Sequence, residues 1–350
     1  MSPQLDELRL ASSAQVSGML ISQWMAEAIR AAAEIGAGDA LAAGPLTGAE
    51  VAERLGSDPD YTHRLLLALV PLELVEFEDG RFSLTDRGQC LVSDSPTTIK
   101  SWVRLMGSGM ASQSWSSLGE CVRRGQMAST VDESRSDSDT ALWDEMEDDP
   151  EASEVFHRAM MEITRDSAPP IVAGLDLEDA RRVVDVGGGA GGLLCAVLDA
   201  NPHLEGIAFD LPNARRTAHK IFAERGLADR ASFVPGSFFE TPLPPADVYT
   251  LKNVIHDWDD EHSVRIFENC RRTMAEGSRL MLVEAPLVEE QDRSTTLLDW
   301  FMAFADLNVM VNNGGRERTE AEYRELVASC GLQVHDVRDT GLFSIFEITR

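Results

Sequence analysis

His256 is the side chain best placed by its neighbours to move a proton. It follows the run Leu251-Lys252-Asn253-Val254-Ile255, which reads as the end of a buried strand, and it precedes the polar stretch Asp257-Trp258-Asp259-Asp260. Strand ends in α/β sheets are where ligands meet side chains, and an imidazole of pKa about 6.5 suits a general base near neutral pH. Some seventy residues upstream, Val183-Val184-Asp185-Val186 runs into Gly187-Gly188-Gly189-Ala190-Gly191-Gly192, a strand entering a glycine turn and then a helix. Glycines let backbone close on a ligand, and the helix start offers free N–H donors. Asp210, in Phe209-Asp210-Leu211-Pro212, ends the second strand, where a carboxylate accepts both hydroxyls of a ribose. These letters satisfy the dinucleotide pattern and the S-adenosylmethionine pattern alike, so the motif alone leaves the cofactor class open.

Asp257, Asp259 and Asp260 are grouped closely enough to raise a metal site. Asp259 and Asp260 are better read as acids opening the next helix, where they suit its dipole, and no metal is expected. His63, His157, His203, His219, His262 and His335 lack company of the kind His256 has and read as surface or structural residues.

The elements that must position these groups fall into two textures. Residues 15–40 read as an Ala-rich amphipathic helix ending near Gly36 and Gly38, and Thr47-Gly48-Ala49-Glu50 is a capping box for a second helix. A third begins near Asp60 with Leu65, Leu66, Leu69 and Val70 on one face, and residues 74–84 alternate about Asp79-Gly80 as a hairpin. Three helices and a hairpin make a winged-helix pattern. Its hairpin carries Glu76, Glu78 and Asp79, which repel phosphate, so a dimerising or substrate-covering module is expected in place of a DNA reader.

A Ser- and Asp-rich stretch at 127–140 reads as a solvated loop, followed by a helix over 141–165 with Phe156, Met160 and Thr164 on one face. From Arg181 onward strands alternate with helices, at 182–186, 206–209, 231–234, 247–255 and 279–284. A terminal hairpin about Asp339-Thr340-Gly341 then adds one antiparallel strand to a mostly parallel sheet.

Read in order, Gly236-Ser237-Phe238-Phe239, the segment from Lys252 to Asp260, the Glu284 strand end and Gly314-Gly315-Arg316-Glu317-Arg318-Thr319-Glu320-Ala321-Glu322-Tyr323 resemble the metal-independent O-methyltransferases of natural-product biosynthesis, the plant caffeate type and its bacterial relatives. The resemblance covers nearly the whole chain. It implies an α/β protein with a mostly helical, winged-helix-like dimerisation domain at 1–100 and a helical linker lining the acceptor pocket at 101–170. A Rossmann-like class I methyltransferase domain at 171–350 would bind S-adenosylmethionine. By the same resemblance Gly187, Gly189, Asp210 and Leu211 match the cofactor loop and its ribose-binding acid, and Ser237 and Phe238 match the pair that reads adenine. Many relatives carry Asp where Ser237 stands, so that contact would be neutral here. Lys252 and Trp258 match residues on the adenine and ribose side, and Thr164 a hydroxyl near the methionine end. Phe156 and Met160 match residues flanking the acceptor.

His256 matches the family's general base, with Glu284 and Glu317 the acids that orient it and favour its charged form. A phenol of pKa about 10 attacks poorly until it loses its proton, so the chemistry requires such a base. The helix bearing Asn308, Met310 and Asn312 resembles the one lining the acceptor pocket. The two asparagines either hydrogen-bond acceptor oxygens or are solvated amides on a partly buried helix.

Composition fits this reading. With 43% apolar and 26% charged residues the chain is that of a globular protein, and a net charge of −28 disfavours nucleic acid and anionic membranes. No signal-peptide pattern or long apolar run is seen, so a cytoplasmic protein is expected. Five scattered cysteines form no C-x-x-C pair and read as small core residues. The expectation is a homodimeric O-methyltransferase acting on a phenolic hydroxyl of an aromatic natural product. The alternative is the same fold repurposed for hydroxylation or a pericyclic step.

Overall fold

The computed structural model describes residues 12–131 and 149–350. The chain forms two compact units, Met1–Gly109 and Met110–Arg350.

In the first unit, α1 (Ser12–Ile35), α2 (Ala37–Leu41), α3 (Gly48–Leu55) and α4 (Pro59–Leu69) precede β1 (Val75–Glu78), β2 (Arg81–Leu84) and α5 (Lys100–Met106). The first helix ends before Gly36, as expected, at a φ of 81° that favours glycine, and the short α2 follows it. Thr47 and Glu50 form the capping box, the Glu50 N–H donating to Thr47 Oγ1 at 3.2 Å and the Thr47 N–H to Glu50 Oε2 at 2.7 Å. β1 and β2 pair antiparallel across Asp79 and Gly80, both at positive φ as a tight hairpin turn demands. Ala33, Leu41, Val51, Leu66, Leu69 and Phe82 build the core, whereas Val16, Met19, Leu20 and Trp24 of α1 are exposed.

The second unit begins with short helices, α6 (Gly109–Ser116), α7 (Leu118–Arg124) and α8 (Ala128–Val131), and then the long α9 (Pro150–Gly174). The stretch expected to be loop from Met127 therefore opens with a helical turn. Its remainder and the first residues of the helix expected at 141 lie outside the described residues, and that helix continues past Arg165 to Gly174.

The sheet comprises β3 (Arg182–Val186), β4 (Glu205–Asp210), β5 (Ala231–Pro235), β6 (Val248–Lys252), β7 (Arg279–Glu284), β8 (Gln333–Asp339) and β9 (Ser344–Thr349). Its order is β5-β4-β3-β6-β7-β9-β8, with only β9 running against its neighbours. Helices α10 (Gly192–Ala200), α11 (Arg215–Glu224), α12 (Asp260–Thr273), α13 (Leu297–Asn313) and α14 (Glu320–Ser329) complete the unit.

Alternation along the strands feeds two cores. Val183, Val248, Met281 and Val283 pack with Ile171, Leu194 and Phe222, while Val184, Tyr249, Leu251 and Leu282 pack with Ile266, Phe267 and Tyr323. Coverage on both faces explains why these strands read as almost unbroken apolar runs. Cys195, Cys270 and Cys330 are buried in these packings, as small apolar side chains would be, Cys121 is buried in a separate small cluster with Ala128 and Val311, and Cys90 is only half-buried. No helix among the described residues is long and apolar enough to cross a membrane.

The order of connection reverses at β3, so the crevice a ligand would use opens at the carboxyl ends of β3 and β6. One boundary differs from expectation there. β6 stops at Lys252 instead of continuing to Ile255, and His256 sits on a 3₁₀ turn, Ile255–Asp257, beyond the strand.

Candidate active site

The turn carrying His256 is held from both sides. Asn253 leaves the strand at φ 52°, a left-handed conformation that asparagine tolerates better than most residues. The freed N–H groups of Val254 and Ile255 donate to Oε1 of Glu284 at 3.2 and 2.9 Å. From the opposite side, the backbone at Gly315 passes so close that a Cβ there would fall 2.1 Å from the His256 carbonyl oxygen. The Arg316 N–H donates to that oxygen at 2.9 Å. Arg318, fully buried, donates to the carbonyls of Ile255 and Trp258 at 3.1 and 2.9 Å and to Oδ1 of Asp260 at 2.7 Å.

Three carboxylates surround the imidazole. Nδ1 lies 2.8 Å from Glu317 Oε1 and 3.9 Å from Glu284 Oε2, and Nε2 faces Asp257 Oδ1 at 3.6 Å. Asp306 accepts the Glu317 N–H at 2.9 Å, and Asn313 donates to Asp257. Burial pushes the His256 imidazole down, but Glu317, Asp257 and Glu284 together outweigh it and hold the group up at about 10. Burial pushes Glu284 up to about 7 and Asp257 up to about 6, each against the pull of His256. The two glutamates thus act differently: Glu317 bonds the ring directly, while Glu284 fixes the backbone turn and reaches the ring through its charge.

Ligand atoms of His256, Glu284 and Glu317 lie within 4.8 Å of one another, a spacing a small cation could span. The charged imidazole that these carboxylates favour has no lone pair to give a cation. Asp259 caps α12 by accepting the His262 N–H at 2.9 Å, and Asp260 is engaged by Arg318.

The glycine loop forms a cradle beside this turn. Gly187, Gly189 and Gly191 all have positive φ, and a Cβ on Gly187 would strike Val254 at 2.7 Å. Asp210 accepts the Gly189 N–H at 2.6 Å on Oδ2 and the Leu211 N–H at 2.6 Å on Oδ1, which fixes its carboxylate against the loop. Burial raises the Asp210 carboxyl and those two N–H groups oppose it. Asp185, buried beneath, accepts from Thr250 at 2.6 Å. Lys252 donates to Thr164 at 3.5 Å with its ammonium 4.8 Å above the Phe343 ring, and burial lowers it to about 8. Phe238, Phe239 and Trp258 stack edge to face, with centroids 4.7 to 5.9 Å apart.

Residues 115–333 match the O-methyltransferase domain family, and residues 19–94 match the O-methyltransferase dimerisation domain. The chain belongs to the O-methyltransferase family. The mitomycin biosynthesis 6-O-methyltransferase of Streptomyces lavendulae is 34% identical over 93% of this chain and 90% of its own. The aclacinomycin 10-hydroxylase of Streptomyces purpurascens is 32% identical over 92% of this chain and 86% of its own. Among solved structures, an O-methyltransferase from neocarzinostatin biosynthesis, in complex with S-adenosylmethionine and 2-hydroxy-5-methyl naphthoic acid, superposes with a TM-score of 0.76 at 34% identity. It covers 93% of this chain and 95% of that one. This enzyme is an S-adenosylmethionine-dependent O-methyltransferase. Its own residues fit that cofactor: the loop glycines leave space that side chains would fill, and Asp210 keeps lone pairs for a ribose.

Other residues singled out in the sequence are distributed as follows. Ser237 accepts the Phe239 N–H at 3.3 Å, Trp258 is buried, and Thr164 is buried against the start of α10. Phe156 and Met160 are half-buried on α9, as is Met310 on α13. Asn308 Oδ1 accepts from Trp115 Nε1 at 3.1 Å and from Asn312 Nδ2 at 3.0 Å, so the two asparagines bond each other.

Sequence reasoning missed Arg318, Asn313 and Asp306, which tie the His256 turn together. Arg318 and Asn313 stood in or beside a quoted motif, yet nothing local marks an arginine as buried. Of the two readings given for His157, surface or structural, the structure excludes surface: the ring is buried against the cofactor loop.

Proposed function

We propose that this methyltransferase acts on a phenolic hydroxyl of an aromatic natural product, with His256 as the general base. The observation that carries the reading is the imidazole held by Glu317 and raised to about 10. Its conjugate acid then matches a phenol of pKa about 10, and proton transfer is close to thermoneutral. An ordinary imidazole would meet an uphill step of about 5 kcal/mol. S-adenosylmethionine, when bound, supplies a methyl carbon made electrophilic by its sulfonium, which the phenolate oxygen takes.

In this reading Glu317 keeps the Nδ1 proton, Nε2 receives the phenolic proton, and Asp257 and Glu284 steady the resulting charge. Lys252, Thr164, Asp210, Leu211, Gly187 and Gly189 hold the cofactor, with Ser237, Phe238 and Trp258 at its base. Phe156, Met160, Met310 and the linked Asn308 and Asn312 line the acceptor side, so α9 and α13 serve as pocket-lining helices. The match to a dimerisation domain and the exposed apolar stripe of α1 support a homodimer.

The test is His256→Ala assayed with isotopically labelled methyl donor and a panel of phenols. Transfer should fall roughly 10²- to 10⁴-fold, the usual contribution of general-base catalysis, with cofactor affinity nearly unchanged. Full activity would remove His256 from the mechanism. A second reading, hydroxylation on the same scaffold, is favoured by the 10-hydroxylase relative. It requires a product that gains oxygen and no labelled methyl.

A further inference from the structure

Helix α9 lays one face on the cofactor loop. His157 and Thr164 stand two turns apart on that face. A Cβ placed on Gly192 would lie 3.5 Å from Thr164, and one on Gly189 would lie 3.5 Å from Nδ1 of His157. The imidazole therefore looks onto the middle of the glycine loop. It is only 4% exposed, and neither ring nitrogen has a hydrogen-bond partner among the described residues. The Asn213 amide is the polar side chain that faces it, but the contact falls short of hydrogen-bond geometry. The Phe156 ring stands edge-on to it at 5.5 Å.

Buried polar atoms without partners are unfavourable, and native proteins seldom keep them without a ligand, a water or a function to pair them. The surroundings say which ligand group this is. The Gly189 N–H is bonded to Asp210 Oδ2, and Asn213 lies three residues beyond Asp210, so His157 stands on the side of the loop where that carboxylate is fixed. A ribose hydroxyl that gives its hydrogen to a carboxylate keeps lone pairs that can accept an N–H. Burial lowers the imidazole to about 4, so at neutral pH it is uncharged and offers one donor.

We propose that His157 is a cofactor-binding residue that donates a ring N–H to a ribose hydroxyl of S-adenosylmethionine, opposite Asp210. The contact completes the ribose site without adding charge beside the buried carboxylate. It also gives α9, which carries Thr164 and Phe156, a direct link to the nucleoside.

The test is calorimetric binding of S-adenosylhomocysteine and of 5′-methylthioadenosine, which keeps the ribose and lacks the amino-acid tail, to the full-length enzyme and to His157→Phe. Phenylalanine keeps the ring and removes both nitrogens. Both ligands should bind about tenfold more weakly, the worth of one hydrogen bond. Unchanged affinity for both would reduce His157 to packing, and a loss confined to S-adenosylhomocysteine would move the contact to the amino-acid tail. No acceptor is present, so the result does not depend on which hydroxyl is methylated.

A second measurement uses the unaltered protein. In ¹⁵N-edited ring spectra the His157 signals are identified by their absence from His157→Phe, and they should shift when 5′-methylthioadenosine is added. Signals that do not move would overturn the assignment.

Discussion

Nδ1 of His256 lies 2.8 Å from Oε1 of Glu317, and this contact favours the tautomer that the proposed base would use. With a carboxylate accepting at Nδ1, that nitrogen carries the hydrogen and Nε2 is the one that can take a proton. The same carboxylate, with Asp257 and Glu284, makes the ring a stronger base than a free histidine. The consequence is that the free enzyme at neutral pH holds the ring mostly protonated.

The rate should therefore climb with pH. For a phenolic acceptor, kcat/KM is expected to rise from pH 7 toward about 10, the value at which His256 loses its proton. Glu317→Gln removes a negative charge, destabilises the imidazolium and lowers its pKa, so the rising limb should move to lower pH. The plateau should fall at least about tenfold, since the base is weaker and its tautomer no longer fixed. Parallel pH profiles of the two proteins check this, and coincident rising limbs would contradict it.

Arg318 tests whether the turn itself matters. Its salt bridge to Asp260 is worth little, because the Asp260 side chain is 66% exposed. The bonds to the Ile255 and Trp258 carbonyls are buried, and Arg318→Met removes both, leaving the Ile255 carbonyl with the Trp258 N–H at 3.2 Å and the Trp258 carbonyl with the Ser263 hydroxyl at 3.5 Å. A loss of about 1.5–3 kcal/mol is expected for buried hydrogen bonds from a charged donor. Thermal unfolding should show a Tm lower by several degrees, with kcat reduced more than affinity for S-adenosylhomocysteine. An unchanged Tm would mean that water replaces the guanidinium.

What could be read in the sequence was local. The Thr47–Glu50 capping box and the Asp79-Gly80 turn were legible because each is settled by residues three or fewer apart. The end of β6 was not. Val254 and Ile255 are as apolar as the strand before them, because they are buried beneath a turn, and burial looks the same in a one-dimensional pattern whatever backbone produces it. Only Asn253, a residue that tolerates positive φ, hinted at the break. Glu284 was expected to orient the histidine, but no motif reveals that one of its oxygens serves two backbone N–H groups. His157 gave no signal, since its surroundings come from the Gly189 loop and the turn after β4, both distant in sequence.

The exposed stripe of α1 yields a prediction about assembly. Val16, Leu20 and Trp24 follow each other at four-residue spacing, with Trp24 70% exposed. Such a stripe on a helix matched to a dimerisation domain should be covered by a second copy. Leu20→Glu with Trp24→Glu places two charges in that contact and should halve the mass seen by light scattering. A wild-type enzyme that is already a monomer at micromolar concentration would remove the homodimer from the proposal.

Two glycines separate backbone strain from damage to the site. Gly187 and Gly226 have nearly the same φ, 69° and 67°, so alanine at either forces a side chain into a left-handed conformation at about 1–2 kcal/mol. At Gly226 a Cβ meets nothing within 4 Å, whereas at Gly187 it meets Val254 at 2.7 Å. Val254 begins the turn that carries His256 and donates its N–H to Glu284. Gly226→Ala should therefore lower stability while leaving S-adenosylhomocysteine affinity and kcat as they were. Gly187→Ala should lower stability by more, weaken S-adenosylhomocysteine binding at least about tenfold, roughly the effect of 1.4 kcal/mol, and reduce kcat through the displaced turn. Calorimetric binding and steady-state rates on both variants distinguish the two effects. Equal behaviour of the pair would mean that the strain alone is felt and that the cradle has room to spare.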